Sequence, residues 1–325
     1  MFQRITPLSL LLVMLVSLGC SQDNNYNETF QIPENKQNNA RFTIKFGRVP
    51  SVTVTELLRQ NAPLIKHLKQ EMNVNITYRF ADDYRGIIEG MDRGDYDFAW
   101  LGPYSYVLSN CFSDTSAAYR PLVRPVRHDS QGKTSDQYRG IIFTRAGSSI
   151  NTVSDLRGKS LAFVDRQSTS GFLFPMALII KSGLNPSSDI NYEFLHRHDQ
   201  VVNEVKRGNY AAGAVYENAR LEEYRSIQKA NRQLPVLART SPIPTSPIVV
   251  SPEFSERHPD LVEKFTTIMT TLQQTAKGRD ILSGLDSARY KKALDSDYDA
   301  VKRVLKTVPP EFTASKYSCQ GNPQG

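Results

Sequence analysis

The sequence predicts an α/β protein of two lobes joined by two chain crossings. Three observations predict it. Segments that alternate apolar and polar residues are followed by segments with helical spacing, the pattern of a mostly parallel sheet. The chain leaves its first lobe near Tyr138 and returns near Ser241, where Pro242, Pro244 and Pro247 mark an extended crossing. A hydroxyl-rich loop, Gln167-Ser168-Thr169-Ser170-Gly171, follows directly on a strand, the position at which open α/β sheets hold ligands.

The elements are read in order. Residues 1–20 read as an export signal, with Arg4 as its positive start, an apolar run from Leu8 to Val16, and Ser17-Leu18-Gly19-Cys20 at its end. The run is shorter than the roughly 20 residues that span a bilayer, so it reads as a cleaved signal. Its ending resembles a bacterial lipobox. That resemblance implies a lipidated Cys20 and a protein anchored to the membrane rather than spanning it. Residues 21–39 are rich in Asn and Gln, bury too little to fold, and read as a flexible tether.

From Ala40 the globule begins. Phe42–Gly47 alternates as a strand, and helical spacing from about Thr53 puts Leu64, Ile65, Leu68 and Met72 on one face. Pro63 is expected to start or kink that helix. Val74–Phe80 is β-like, and Asp82-Asp83 can cap a helix carrying Ile87, Ile88 and Met91. Tyr96–Leu101 is an apolar strand, broken at Gly102-Pro103 before a short helix. Tyr138–Arg145, Ser160–Val164, Asn191–Leu195 and Ala211–Tyr216 follow as strands, with helical spacing at Val201, Val202 and Val205. The tail reads as mainly helical, with Leu261, Phe265, Ile268 and Leu272 on one face. The organisation expected is therefore lobe 1 from 40–140 plus 242–325 and lobe 2 from 141–241, with a hinge and cleft between them.

Composition narrows the function. The 325 residues are enough for two ordinary domains. Lys plus Arg number 40 against 33 Asp plus Glu, a net charge of +7, which suits an anionic ligand or membrane surface. Solubility explains that excess equally well. No clustered basic run points to nucleic acid. With Cys20 lipidated, Cys111 and Cys319 remain, an even number in an oxidising compartment, and they are expected to pair. The five histidines are scattered and no C-x-x-C is present, so neither a metal nor a cofactor is expected.

The loop at Ser168, Thr169 and Ser170 opens an apolar helix. A helix start offers unpaired N–H groups and a partial positive charge, and three hydroxyls beside it suit a tetrahedral oxyanion. The plainer alternative is that Ser168 or Ser170 only caps the helix. The strand Asn191–Leu195 ends just before His198, so two strand–loop junctions bring Ser168–Ser170 and His198 to one sheet edge. Elsewhere, Phe98, Trp100 and Leu101 read as core. Arg120, Arg124 and Arg127 read as a solvated basic face, and Glu222, Glu223, Asp295 and Asp297 as helix-surface charges.

Four blocks then resemble the phosphonate/phosphite/phosphate-binding proteins of ABC transporters. They are Asp83-Tyr84-Arg85-Gly86-Ile87-Ile88-Glu89-Gly90-Met91, Asp97-Phe98-Ala99-Trp100-Leu101-Gly102-Pro103-Tyr104, Ser168-Thr169-Ser170-Gly171-Phe172-Leu173-Phe174-Pro175, and Ser241-Pro242-Ile243-Pro244 with Pro247. A His198-Asp199 pair about thirty residues beyond the third block adds to the match. The resemblance implies a type II periplasmic-binding-protein (Venus-flytrap) architecture with two hinge crossings, a monomer that closes on a phosphorus oxyanion and docks on an ABC permease. It implies that Ser168, Thr169 and Ser170 grip the oxyanion, with His198 and Tyr138 as further donors. Leu101 stands where the family has a tyrosine, with Tyr104 as the nearby candidate to compensate. The positions that hold a ligand amine in aminoalkylphosphonate receptors read Asn218, beside Glu217, and Ser246. Without the acidic pair, an enclosed ammonium lacks its partner. Phosphite, phosphate or a small alkylphosphonate is thus expected over 2-aminoethylphosphonate. Glu217 remains able to accept from a protonated oxygen or an amine.

Two other classes stay open at this stage. Ser168 or Ser170 with His198 and Asp199 could be a hydrolytic set, although adjacent His and Asp rarely orient each other as a triad requires and no G-x-S-x-G elbow is present. The same receptor could also serve a signalling partner instead of a permease.

Overall fold

The computed structural model describes residues 42–112, 118–128, 133–224 and 226–313. The expected signal, the tether, Cys20 and Cys319 lie outside these residues, and the Cys111 side chain does too, so the expected disulfide lies outside the described residues.

Lobe 1 begins with β1 (Thr43–Arg48), α1 (Val54–Met72), β2 (Asn75–Phe80), α2 (Tyr84–Asp92), β3 (Phe98–Trp100) and α3 (Pro103–Phe112). Helix α1 starts where the Thr53 hydroxyl accepts from the Glu56 N–H at 3.3 Å, and ends at Asn73 in the left-handed region. It runs through Pro63 without a break, contrary to the expected start or kink. The cap and the buried stripe of Leu57, Leu64, Ile65 and Leu68 outweigh the one hydrogen bond that a proline removes. Strand β1 pairs in parallel with both β2 and β3.

The chain then adds β4 (Arg120–His128) and β5 (Thr134–Ser135), and crosses to lobe 2 through β6 (Gln137–Tyr138). Lobe 2 holds β7 (Gly140–Thr144), β8 (Lys159–Phe163), α4 (Phe174–Lys181), α5 (Pro186–Asp189), β9 (Ile190–Phe194), α6 (His198–Arg207), β10 (Ala212–Tyr216), α7 (Ala219–Tyr224), α8 (Ile227–Gln233) and β11 (Val236–Arg239). Strand β12 (Ile243–Pro244) carries the return and pairs antiparallel with β6, Ile243 opposite Tyr138. Lobe 1 is then completed by β13 (Ile248–Val250), α9 (Pro252–Arg257), α10 (Pro259–Thr271), α11 (Ala276–Gly284), β14 (Arg289–Lys292) and α12 (Asp299–Leu305).

The two sheets run in the orders β14-β4-β13-β3-β1-β2, with β5 on β4, and β11-β7-β10-β8-β9. Both are mixed rather than mostly parallel. The strands flanking the crossings, β13 and β7, lie antiparallel to β3 and β10, because each connects lobes instead of closing a β–α–β unit. One apolar core covers the outer part of lobe 1, where Phe46, Phe98 and Phe265 meet at ring separations of 4.8–6.3 Å. A second core joins α2 and α3 of lobe 1 to the interior of lobe 2 and takes in Tyr298 and Val301 from the tail.

Two strands of the structure run against the sequence reading. The stretch expected as a solvated basic face is β4. Its Arg124 is only 4% exposed, and its guanidinium donates to Asp136 at 2.7 Å and to Asp297 at 3.0 Å. Asp297 is therefore an internal partner, not a free surface charge, and Asp295 accepts from the Tyr106 hydroxyl at 2.8 Å. Pro121 and Pro125 disguise β4 as loop, since proline is uncommon within sheets. The tail contains β14 beside its helices, pairing along β4 from Arg289 to Lys292.

Candidate ligand-binding cleft

The carboxyl ends of β1, β2 and β3 in lobe 1 and of β8, β9 and β10 in lobe 2 lead into residues that line one cleft of about 940 Å³. Ser168, Thr169, Ser170, His198, Tyr138, Leu101, Glu217 and Asn218, all singled out in the sequence, line it.

The hydroxyl loop follows β8. Ser168 N–H donates to Asp165 O at 2.9 Å, and Ser168 Oγ accepts from Gly171 N–H at 3.1 Å. Ser168 is thus a helix cap as well as a cleft residue. The turn it starts, Thr169–Leu173, is π-helical and runs on into α4. Gly171 is required there, because a Cβ would meet Val164 Cγ2 at 2.4 Å. All three hydroxyl residues are buried, so their oxygens need internal or ligand partners.

Two tyrosines stand beside them: the Tyr84 phenol, from lobe 1, next to Ser168, and the Tyr138 phenol, from the crossing, next to Ser170 and Thr169. Burial raises the pKa of both, Tyr138 to about 12, which keeps both phenols protonated and able to donate. Tyr84 was not picked out from the sequence as a site residue. The signal was present: Asp83 Oδ1 accepts from Gly86 N–H at 2.6 Å, and that cap fixes Tyr84 as the first residue of α2.

His198 opens α6 beyond β9. Burial lowers its pKa to about 3, so the ring is neutral. Nδ1 accepts from the Tyr216 N–H at 3.4 Å, which leaves the proton on Nε2. The ring meets that of Tyr216 edge-on at 4.6 Å. Asp199 does not orient it, since the Arg197 Nε–H donates to Asp199 at 3.2 Å.

The lobes touch directly around this loop. Tyr104 N–H, at the start of α3, donates to Thr169 Oγ1 at 2.8 Å. Ser105 Oγ–H donates to Gln167 O at 3.3 Å, and His198 N–H to Ser51 O at 3.0 Å. Tyr104, the candidate to compensate for Leu101, does not line the cleft: its side chain is fully buried in the core, and its backbone N–H donates to the loop. Leu101 is also buried, and its N–H donates to Pro247 O at 3.1 Å. Glu217 is already engaged, accepting from Arg239 Nε–H at 2.7 Å.

Two lobes, two crossings and a cleft fed by strand ends define a periplasmic binding protein of the type II architecture. A family model described as "ABC transporter, phosphonate, periplasmic substrate-binding protein" matches residues 46–298, and the chain belongs to that family. The phosphate-import protein PhnD of Mycolicibacterium smegmatis is 32% identical over 183 residues, 54% of this chain and 55% of that protein. The chain thus spans about half the length of that relative. The phosphonates-binding periplasmic protein of Escherichia coli is 26% identical over 267 residues, 80% of this chain and 75% of that one. Among solved structures, a Prochlorococcus marinus protein in complex with methylphosphonate superposes with a TM-score of 0.70 at 18% identity, covering 81% of this chain and 97% of that one. Among the described residues, no helix is long and apolar enough to cross a membrane.

Proposed function

We propose that this chain is the extracytoplasmic, lipid-anchored receptor of an ABC importer. It captures a phosphorus oxyanion, namely phosphite, phosphate or a small alkylphosphonate, between lobe 1 (40–140 plus 242–325) and lobe 2 (141–241). The observation that carries this reading is the Ser168–Thr169–Ser170 loop, buried at the end of β8 and met by Tyr84, Tyr138 and a neutral His198. Hydroxyl and neutral imidazole donors can all point at one tetrahedral anion. The family membership and the relatives named for phosphate and phosphonates support the same ligand class.

In this mechanism the open lobes admit the anion, the loop of lobe 2 binds it, and the hinge at β6 and β12 closes. Tyr104 and Ser105 then hold lobe 1 against the loop, and Ser51 O holds it against the His198 N–H. The closed form docks on a membrane permease, and Cys20 keeps the receptor at the membrane surface. The reading includes no turnover. His198 Nδ1 is occupied by a backbone N–H and Asp199 by Arg197, an arrangement that supports binding over a hydrolytic triad.

A thermal-shift panel of phosphite, phosphate, methylphosphonate, 2-aminoethylphosphonate and sulfate tests the proposal. Stabilisation by a phosphorus oxyanion other than 2-aminoethylphosphonate is expected. A response to none of them, or to sulfate alone, contradicts it.

A further inference from the structure

Six arginines line the cleft, with three carboxylates: Glu56, Glu217 and Asp286. Each carboxylate is paired with one of them, through Arg59, Arg239 and Arg127 respectively. Arg48, Arg139 and Arg220 have no carboxylate within 4.0 Å among the described residues. Arg48 spends its charge over the Trp100 ring at 4.2 Å and on Asn61 Oδ1 at 2.7 Å. The other two gather at the hinge end of lobe 2.

There the pairing of β7 and β10 continues one residue past Gly140 and Tyr216, since Glu217 N–H donates to Arg139 O at 3.0 Å. Arg139 directly follows Tyr138, and its Nη1–H donates to a carbonyl, Thr240 O, at 2.5 Å. Arg239 reaches the same Glu217 from β11. Arg220 is 1% exposed. Its Nη1 donates to Leu234 O and its Nη2 to Asn231 Oδ1 at 3.2 Å, so it closes the carboxyl end of α8. That structural role brings it no ion pair, and its buried Nε has no partner among the described residues. Three arginines thus line this end of the cleft with one carboxylate, Glu217, which Arg239 already holds. A cation held out of water calls for an anion nearby, and an ammonium at this end would face net repulsion.

We propose that this hinge end is a second anion subsite, formed by Arg139, Arg239 and Asn218 above the buried Arg220, and that it takes the carboxylate of a phosphonocarboxylate whose phosphoryl group sits in the Ser168–Ser170 loop. The proposal rests on the phosphorus-oxyanion reading above. Arg139 and Arg239 offer planar donor forks suited to carboxylate, and Asn218 adds an amide donor. The subsite gives the cleft a physical reason to prefer a second negative group over an amine.

Titration calorimetry on the full chain tests it with size-matched pairs: phosphonoacetate against ethylphosphonate, and 3-phosphonopropionate against propylphosphonate. The expected result is that one carboxylated ligand binds at least about tenfold tighter than its match. In R139Q that ratio is expected to fall below about threefold, and R220M, where it folds, to lower it as well. A ratio near one in both wild-type pairs overturns the subsite while leaving the phosphoryl site intact. A wild-type ratio that persists unchanged in R139Q also overturns it. Binding of none of the four while phosphite, phosphate or methylphosphonate binds overturns the subsite alone, whereas binding of none of the seven removes the phosphorus-oxyanion reading and the subsite with it.

Discussion

The backbone N–H of Tyr104 in lobe 1 donates to the side-chain oxygen of Thr169 in lobe 2 at 2.8 Å. Both residues are buried, and the bond runs from one lobe to the other. In the proposed mechanism it belongs to the closed form, which ties Thr169 to closure as well as to the hydroxyl loop.

T169V keeps the shape of Thr169 and removes that acceptor. An unpaired buried N–H costs about 1–3 kcal/mol, and the cost falls on the closed state alone. Ligand affinity is expected to drop by about tenfold or more, with little change in thermal stability without ligand. Calorimetry and thermal melts of the same variant check both halves of the statement.

Gly140 is the backbone neighbour of the loop. A Cβ on it would lie 2.8 Å from Ser170 O and 3.2 Å from Ser170 Cα. Strand β7 is paired on both sides, with β10 and β11, so the displacement must be taken up by Ser170. G140A is expected to weaken binding by about tenfold, since overpacking typically costs about 1–3 kcal/mol. Affinity equal to wild type in a folded G140A protein would contradict the placement of Ser170 at the ligand.

His198 gives a pH signature. Its folded pKa of about 3 lies below the ordinary histidine value, so the unfolded chain takes up a proton first as pH falls. The stabilising contribution of the neutral ring is complete above about pH 6.5 and is lost progressively toward pH 3. Wild type is expected to lose roughly 2 kcal/mol relative to H198Q between pH 6.5 and 5. Parallel denaturant titrations at several pH values measure the difference.

Arg124 holds lobe 1 from inside. R124M leaves Asp297 without its bidentate partner, while Asp136 retains Lys291 at 2.9 Å. Both carboxylates keep some contact with solvent, so the loss is expected at about 2–4 kcal/mol, near the lower end for breaking a buried pair. Urea unfolding of R124M reads it directly.

Much of this was legible in the sequence. Strands β1 and β9 show themselves by alternation, β8 and β10 by short apolar runs, and the Ser168–Ser170 loop by three hydroxyls before a glycine. The two crossings are marked by Tyr138 and by Pro242, Pro244 and Pro247. What stayed hidden depends on contacts between distant segments. Strand β4 was masked by its arginines and prolines, because the burial of Arg124 depends on Asp297, which lies 173 residues away. Tyr84 looked like an ordinary residue after a helix cap until the other lobe placed Ser168 against it. Tyr104 was the candidate to compensate for Leu101, and the packing of α3 places its ring in the core and its N–H against Thr169.

The central claim is that the hydroxyl loop binds a phosphorus oxyanion. Its most direct test is calorimetry of wild type and S168A with whichever of phosphite, phosphate and methylphosphonate stabilises the protein most. The account predicts measurable binding to wild type and a loss of about 1.5–3 kcal/mol in S168A, the value of a hydrogen bond to a charged group. Equal affinity in the two proteins would mean that Ser168 only caps its helix, and would contradict the site.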